Sequence, residues 1–99
     1  MSKIQKLKEA KEYYNIGNTY RDKKDYDEAI KAYRRAIELE PDYADAYYNL
    51  GLAYAGKGEY DRAIEAFNQV IKLSSDDELA HNHLENAKNL KMLDLLRKI

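Results

Sequence analysis

The feature that most constrains this chain is an internal repeat with a period of 34 residues. Residues 44–73 (ADAYYNLGLAYAGKGEYDRAIEAFNQVIKL) have a near copy in residues 10–39 (AKEYYNIGNTYRDKKDYDEAIKAYRRAIEL). The recurring pairs are Tyr13 and Tyr47, Gly17 and Gly51, Tyr20 and Tyr54, Tyr26 and Tyr60, Ala29 and Ala63, and Tyr33 and Phe67. A constant spacing of this size is typical of stacked units that share one continuous core.

Within each copy the apolar residues are spaced three and four apart, which predicts amphipathic helices. The predicted buried stripes of the first copy are Tyr13, Ile16, Gly17 and Tyr20, then Ala29, Ile30, Tyr33, Ala36 and Ile37. In the second copy, Ala63, Ile64, Phe67, Val70 and Ile71 are predicted to be buried. Glycine costs about 1 kcal/mol of helix propensity relative to alanine. Gly17 therefore predicts a partner helix in close approach.

Capping signals and turn residues divide the chain into five predicted helices. The capping boxes are Ser2 with Gln5, Asp25 with Glu28, and Ser75 with Glu78. The predicted boundaries are a first helix to about Asp22, a second ended by Pro41, a third from about Tyr43 to Ala55, a fourth from Glu59, and a fifth from about Asp76 to Lys98. Lys24 occupies the turn position of Gly58, where a left-handed backbone would cost a non-glycine residue about 1 kcal/mol.

The repeat resembles the tetratricopeptide repeat (TPR) family, whose pattern runs aromatic, Leu, Gly, Tyr, Ala, aromatic, Ala and Pro. The second copy matches it with Tyr47, Leu50, Gly51, Tyr54, Ala63, Phe67, Val70 and Ser75, and the first with Tyr13, Ile16, Gly17, Tyr20, Ala29, Tyr33, Ala36 and Pro41. The resemblance implies an all-α fold, a short right-handed α-solenoid of two helix-turn-helix repeats plus a long C-terminal capping helix. We expect one domain with an N-terminal helix extension (1–9), repeat 1 (10–43), repeat 2 (44–77) and a capping helix (78–99).

The composition and net charge of the chain argue against several classes of function. The 99 residues include 17 basic and 18 acidic residues, for a net charge of −1, which gives no electrostatic case for nucleic acid or an anionic membrane. There is no cysteine, and no apolar run approaches the ~20 residues of a membrane span. The N-terminus lacks the apolar region of a signal peptide. We expect a soluble, cytoplasmic protein.

In the TPR family the first helices of successive repeats line a concave groove that binds peptides. By resemblance the groove residues here are Lys11, Tyr14, Asn18 and Arg21, then Asp45, Tyr48, Asn49, Leu52 and Ala55, and from the last helix Leu79, Asn82, His83, Asn86 and Asn89. Tyrosine supplies rigid area with a polar tip, and asparagine can pair with an extended backbone. Alternatively, Tyr14 and Tyr48 are common repeat residues without a ligand.

Chaperone-binding members of the family hold a C-terminal carboxylate with three cations and two asparagines. Asn18 and Asn49 stand at the matching places, but Tyr14, Leu79 and His83 replace the cations. Because each missing charge-assisted hydrogen bond is worth about 1.5–3 kcal/mol, we expect no carboxylate clamp.

The fifth helix changes face along its length. Ala80, Leu84 and Ala87 are expected to pack on the second repeat, while His81, Glu85 and Lys88 form a polar outer side. The apolar stripe then moves by about 140°, to Met92, Leu95, Leu96 and Ile99. Three explanations are open. The helix breaks near residues 89–91 and folds back, the stripe pairs with another copy or a partner helix, or the chain is a piece of, or engineered after, a longer array.

No catalytic constellation is found. His81 and His83 point about 200° apart on a helix, cannot share a metal, and are expected to be surface residues. We therefore expect no cofactor, no metal and no enzymatic activity. The sequence favours an interaction module for a peptide or protein partner, with possible homo-oligomerisation through the last helix. The alternative is an idealised or designed TPR scaffold with no natural ligand.

Overall fold

The structure, a computed structural model, describes all 99 residues and consists of five α-helices. They are α1 (Lys3–Asp22), α2 (Tyr26–Leu39), α3 (Ala44–Gly56), α4 (Tyr60–Leu73) and α5 (Glu78–Arg97). The helices form two hairpins, α1 with α2 and α3 with α4, and α2 packs on α3 as α4 packs on α5. The molecule is elongated, 51 × 30 × 17 Å. This all-helical solenoid confirms the predicted fold class. None of the helices combines the length and apolar character needed to cross a membrane.

Two of the three predicted helix caps are confirmed. Ser2 accepts a hydrogen bond from the backbone N–H of Gln5, and Asp25 accepts one from Glu28. The Ser75 cap is wrong, since Asp77 accepts from the backbone N–H of Ala80 at 3.0 Å instead. α5 therefore begins at Glu78, two residues later than a Ser75 cap would place it.

The core runs along the hairpins and continues under α5. It comprises Ala29, Ile30, Tyr33, Leu50, Ala53, Tyr54, Ala63, Ala66, Phe67, Leu84 and Ala87. The predicted burial of Ile16 is wrong, because this side chain is 45% exposed whereas Leu50 and Leu84, one and two periods later, are each 7% exposed. α2 and α4 cover those two leucines, and α1 has no preceding hairpin to cover it.

The close approach predicted at Gly17 is confirmed, and Gly51 shows the same packing. A Cβ built on Gly17 would lie 2.5 Å from the ring of Tyr33, and one built on Gly51 would lie 2.6 Å from the ring of Phe67. Both distances are far inside van der Waals contact, so no side chain fits there unless the ring moves. Each glycine therefore leaves room for the aromatic ring that the following helix contributes to the core.

The turn between α1 and α2 has the same path as the turn between α3 and α4. The N–H of Asp25 donates to the carbonyl of Tyr20, and the N–H of Glu59 donates to that of Tyr54, both at 2.9 Å. This path requires a left-handed residue, which is Lys24 (φ 61°) in the first turn and Gly58 (φ 80°) in the second. The first turn thus carries strain that the second lacks.

α5 is one unbroken helix, which excludes the fold-back explanation. Ala80, Leu84 and Ala87 are buried against the second hairpin, as predicted. Further along the same side, Lys91 forms an ion pair with Asp61 of α4 at 2.6 Å. The end of α5 therefore presents a polar side to the protein, and Met92, Leu95, Leu96 and Ile99, which we name the C-terminal stripe, face outward with 48–99% exposure.

Candidate functional site

The side chains predicted to line a groove lie on α1, α3 and α5, the first helix of each structural unit. Lys11, Leu79, Asn82 and Asn86 are exposed, Tyr14, Asn18, Arg21, Tyr48 and Leu52 are half-buried, and Asn49 is buried. The structure joins Tyr14, Asn18, Arg21 and Asn49 in one hydrogen-bonded cluster, which does not include Lys11, Asn82 or Asn86.

Asn49 is the centre of this cluster. Its Oδ1 accepts a hydrogen bond from Arg21 Nη1 at 2.9 Å. Its Nδ2 donates to the hydroxyl of Tyr14 at 2.8 Å and to Oδ1 of Asn18 at 3.1 Å. Both amide protons of Asn49 are thus used within the protein, and the side chain connects α1 to α3. In this structure the Asn49 amide has no proton left for a peptide backbone.

The direction of every hydrogen bond in the cluster follows from Arg21, because a guanidinium can only donate. Asn49 must therefore turn its oxygen to Arg21 and its amide nitrogen to Tyr14 and Asn18. It follows that the carbonyl oxygen of Asn18 accepts, and that the hydroxyl of Tyr14 accepts from Asn49 and keeps its own proton to donate.

Tyr33 of α2 is a member of the cluster that sequence reasoning assigned only to the core. Its hydroxyl donates to Oδ1 of Asn18 at 2.6 Å, while its ring is fully buried. Burial raises the pKa of Tyr33 to about 12. One available signal was the hydroxyl itself, since a buried tyrosine usually finds a hydrogen-bond partner.

The part of the predicted groove around Tyr48 and Leu52 is apolar and aromatic. Phe67 takes the place of Tyr33 one period later, and Leu52 takes the place of Asn18. The imidazole of His83 stacks on Phe67 at 5.7 Å between ring centroids and meets Tyr48 edge-on at 5.3 Å. His83 is therefore half-buried between rings, and its interpretation as a surface residue is wrong.

A further tyrosine, Tyr43, lies beside the polar cluster. Its ring is 5.1 Å from that of Tyr14. Burial raises the pKa of Tyr43, and burial together with the charge of Asp77 raises the pKa of Tyr48. Both hydroxyls therefore keep their protons at neutral pH. Sequence reasoning missed Tyr43 because it precedes α3 and lies outside the repeating helix positions.

The amide oxygens of the polar cluster are used as acceptors within the protein, while several of its donors still have protons to give, although Arg21 also pairs with the exposed carboxylate of Asp22. The oxygens of Asn18 and Asn49 accept from within the protein, while the Asn18 amide, the Tyr14 hydroxyl and the remaining N–H groups of Arg21 have protons to donate. Such a surface is complementary to carbonyl and carboxylate oxygens. No group of three or more His, Cys, Asp or Glu side chains is arranged to hold a metal ion.

Two helical hairpins, a constant period and a glycine seating each core aromatic define a helical repeat protein whose first helices present one side-chain-lined face. Comparison with protein-family models gives the same class of protein. A model described as "TPR repeat" matches residues 17–58, and one described as "Tetratricopeptide repeat" matches residues 44–77. The chain belongs to the tetratricopeptide repeat family, whose repeats generally mediate protein–protein interactions.

Solved structures of other proteins share this fold. A crystal structure of MamA has a TM-score of 0.82 and 39% identity, covering 85% of this chain and 49% of that chain. A second MamA crystal structure has the same TM-score and identity, covering 85% of this chain and 46% of that chain. The present chain therefore spans about half the length of MamA.

A third similar structure contains a bound peptide. The second TPR domain of human RPAP3, solved by NMR in complex with the HSP70 peptide SGPTIEEVD, has a TM-score of 0.77 and 28% identity, covering 80% of this chain and 66% of that chain. We found no significant match among curated protein sequences.

Proposed function

We propose that the chain is a non-enzymatic interaction module that binds an extended peptide or a helix along α1, α3 and α5. The observation that carries the proposal is the set of half-buried groups with protons left to donate, Tyr14, Asn18 and Arg21, beside the apolar side chains of Tyr48 and Leu52. Backbone carbonyls or acidic side chains would lie over the donors, and an apolar side chain over the apolar residues. The complex of the similar RPAP3 domain with a peptide supports peptide binding as the function.

The test is a peptide-display selection against the intact chain, followed by calorimetric affinity measurement. We expect Tyr14→Ala with Tyr48→Ala to weaken the selected peptides at least about tenfold, since each tyrosine would lose buried contact area. Tyr13→Ala is the control, because Tyr13 is on the same helix but outside the groove. Selected peptides that bind the double variant unchanged would contradict the proposal. A selection without binders would favour the scaffold alternative.

We infer in addition that the groove does not use a carboxylate clamp. Of the two asparagines at the matching places, Asn49 has its amide committed to Tyr14 and Asn18. The peptide SGPTIEEVD and its C-terminal amide are a matched pair of probes, which differ only in the terminal charge. We expect equal affinity for the two. A tenfold preference for the free carboxylate would overturn this inference.

We propose self-association as a second function, through the C-terminal stripe. On a straight helix Met92 lies about 20° from His81, counting about 100° per residue. The stripe therefore continues the outer face of α5, where a following helix would pack in a longer array. Its exposed aliphatic side chains suit a second copy of α5 laid across it.

Light scattering during size-exclusion chromatography, over a range of concentrations, tests this assembly. We expect a dimer that Leu95→Lys with Leu96→Lys converts to a monomer without a change in circular dichroism. Leu79→Lys is the control, as an exposed leucine on the same helix outside the stripe. A monomer at every concentration would overturn the assembly, and an unfolded double variant would place the stripe in the core.

A further inference from the structure

A cavity on another side of the protein shares no residue with the groove. It has a volume of about 620 Å³ and lies among α2, α3 and α4. Its lining residues are Arg34, Tyr47, Leu50, Tyr54, Arg62, Glu65, Ala66 and Gln69. The groove faces of α1 and α5 contribute nothing to it, so a ligand here could bind while the groove is occupied.

The cavity has an apolar floor and a charged rim. Leu50, Tyr54 and Ala66 are buried and form the floor, while Arg34 and Arg62 are exposed at the rim. The guanidinium of Arg62 lies 5.9 Å from the ring centroid of Tyr54, which holds it over the floor and leaves its N–H edges open.

Both rim arginines lack an acidic partner. Neither Arg34 nor Arg62 takes part in any of the ion pairs of the protein, although Glu65 also lines the cavity. An adjoining cavity of about 350 Å³ shares both arginines. The acidic residues of this second cavity, Asp27 and Glu59, do not neutralise the two arginines, because both pair with Lys57. The two arginines therefore offer their donors to an external anion.

We propose that this cavity binds an acidic peptide segment of a protein partner. Two carboxylates would bind Arg34 and Arg62, since a guanidinium matches a carboxylate in a two-pronged hydrogen bond. An aliphatic side chain between them would lie on Leu50 and Ala66. A lone small anion would leave this apolar floor unused, which is why the occupant is a peptide.

An NMR titration tests the site with the peptide acetyl-Glu-Glu-Leu-Glu-Glu-amide, against the same peptide with glutamine for every glutamate. We expect amide shifts at the cavity residues with the acidic peptide only. Arg34→Gln with Arg62→Gln should weaken binding at least about tenfold. Glu65→Gln should strengthen binding severalfold, because it removes the one carboxylate of the larger cavity; a misfolded variant would not show such a gain.

The matched control is Lys72→Gln with Arg97→Gln, which removes the same charge from two cations that line neither cavity. Equal weakening in this control would show nonspecific attraction and overturn the proposal. Shifts confined to Lys11, Asn18 and Arg21 would place the peptide in the groove and also overturn it. Absence of shifts at millimolar peptide would do the same.

Discussion

The hydroxyl of Tyr33 lies 2.6 Å from Oδ1 of Asn18, and the residues that replace this pair one repeat later, Phe67 and Leu52, have apolar side chains. The two differences between the repeats suit each other chemically. A phenol reaching the groove face needs an acceptor, whereas a phenyl ring at the same place is better covered by an aliphatic side chain. The pair thus makes the groove polar at Asn18 and apolar at Leu52, its equivalent in the second repeat.

A double-mutant cycle tests this coupling. Tyr33→Phe should lower the unfolding free energy by about 1 kcal/mol, because it removes this hydrogen bond while Oδ1 of Asn18 still accepts from Asn49. Asn18→Leu should lower it by about 1–2 kcal/mol, because the Tyr33 hydroxyl and one Asn49 amide proton lose their acceptor. The double variant reproduces the second-repeat pair and should lose about 1 kcal/mol less than the sum. Chemical denaturation of the four proteins measures it. Strictly additive losses would show that the hydrogen bond contributes nothing specific.

Alkaline pH should destabilise the protein through Tyr33. Burial raises its pKa from 10.0 to about 12, so between these values the unfolded chain releases a proton that the folded chain keeps. The contribution is complete below pH 10, and it is lost as the pH rises towards 12, by at most about 3 kcal/mol.

Denaturation curves at pH 9, 10 and 11 measure this loss. Tyr33→Phe is the matched control, since it keeps the ring and removes the titrating group. We expect the variant to lose less stability over this range than the original protein. Parallel losses in the two proteins would assign the alkaline sensitivity to other groups, among them Tyr43 and Tyr48, whose pKa values are also raised by burial.

The sequence predicted the parts of the structure that depend on local spacing. The close approach at Gly17 and Gly51 follows from a glycine in an otherwise good helix, and the left-handed Lys24 follows from its alignment with Gly58. Each prediction required only the repeat period and the conformational limits of one residue.

Sequence reasoning fell short where a residue's surroundings are set by other helices. Ile16 and Leu50 occupy equivalent places, but only Leu50 has a preceding hairpin to cover it. The side-chain amide of Asn49 is hydrogen-bonded to residues of α1. The imidazole of His83 lies edge-on to a ring of α3 and stacks on a ring of α4. Periodicity assigns a side chain to a face of its own helix, whereas these outcomes depend on which chemical groups the neighbouring helices bring to that face.

Gly56 shows the same limit at a third glycine. Gly56 is the last residue of α3, and the sequence predicted no close packing there. In the structure a Cβ on Gly56 would lie 2.6 Å from the ring of Tyr26, so this glycine makes room for a side chain of α2. The repeat spacing could not predict this packing, because the equivalent positions 34 residues before and after Gly56 are not glycines but Asp22 and Leu90.

Replacing Lys24 with glycine should stabilise the protein by up to about 1 kcal/mol, because it relieves a positive φ in a residue with a Cβ. Gly58→Ala should cost about the same, since no atom lies within 4 Å of the added carbon and only the backbone conformation opposes it. Melting temperatures measure both. Lys23→Gly is the control, because Lys23 has an ordinary φ of −86° and should gain nothing. A gain at Lys23 equal to that at Lys24 would argue against strain.

Gly51→Leu should cost several kcal/mol, because its first side-chain atom would already lie 2.6 Å from the ring of Phe67 and the core cannot expand there without separating α3 from α4. Glu85→Leu is the matched control. Glu85 occupies the same repeat position on α5, where no helix covers it, and its side chain is exposed. We expect this control to change the unfolding free energy by less than about 0.5 kcal/mol. Thermal denaturation distinguishes the two, and an unchanged melting temperature for Gly51→Leu would refute the role of Gly51 in seating Phe67.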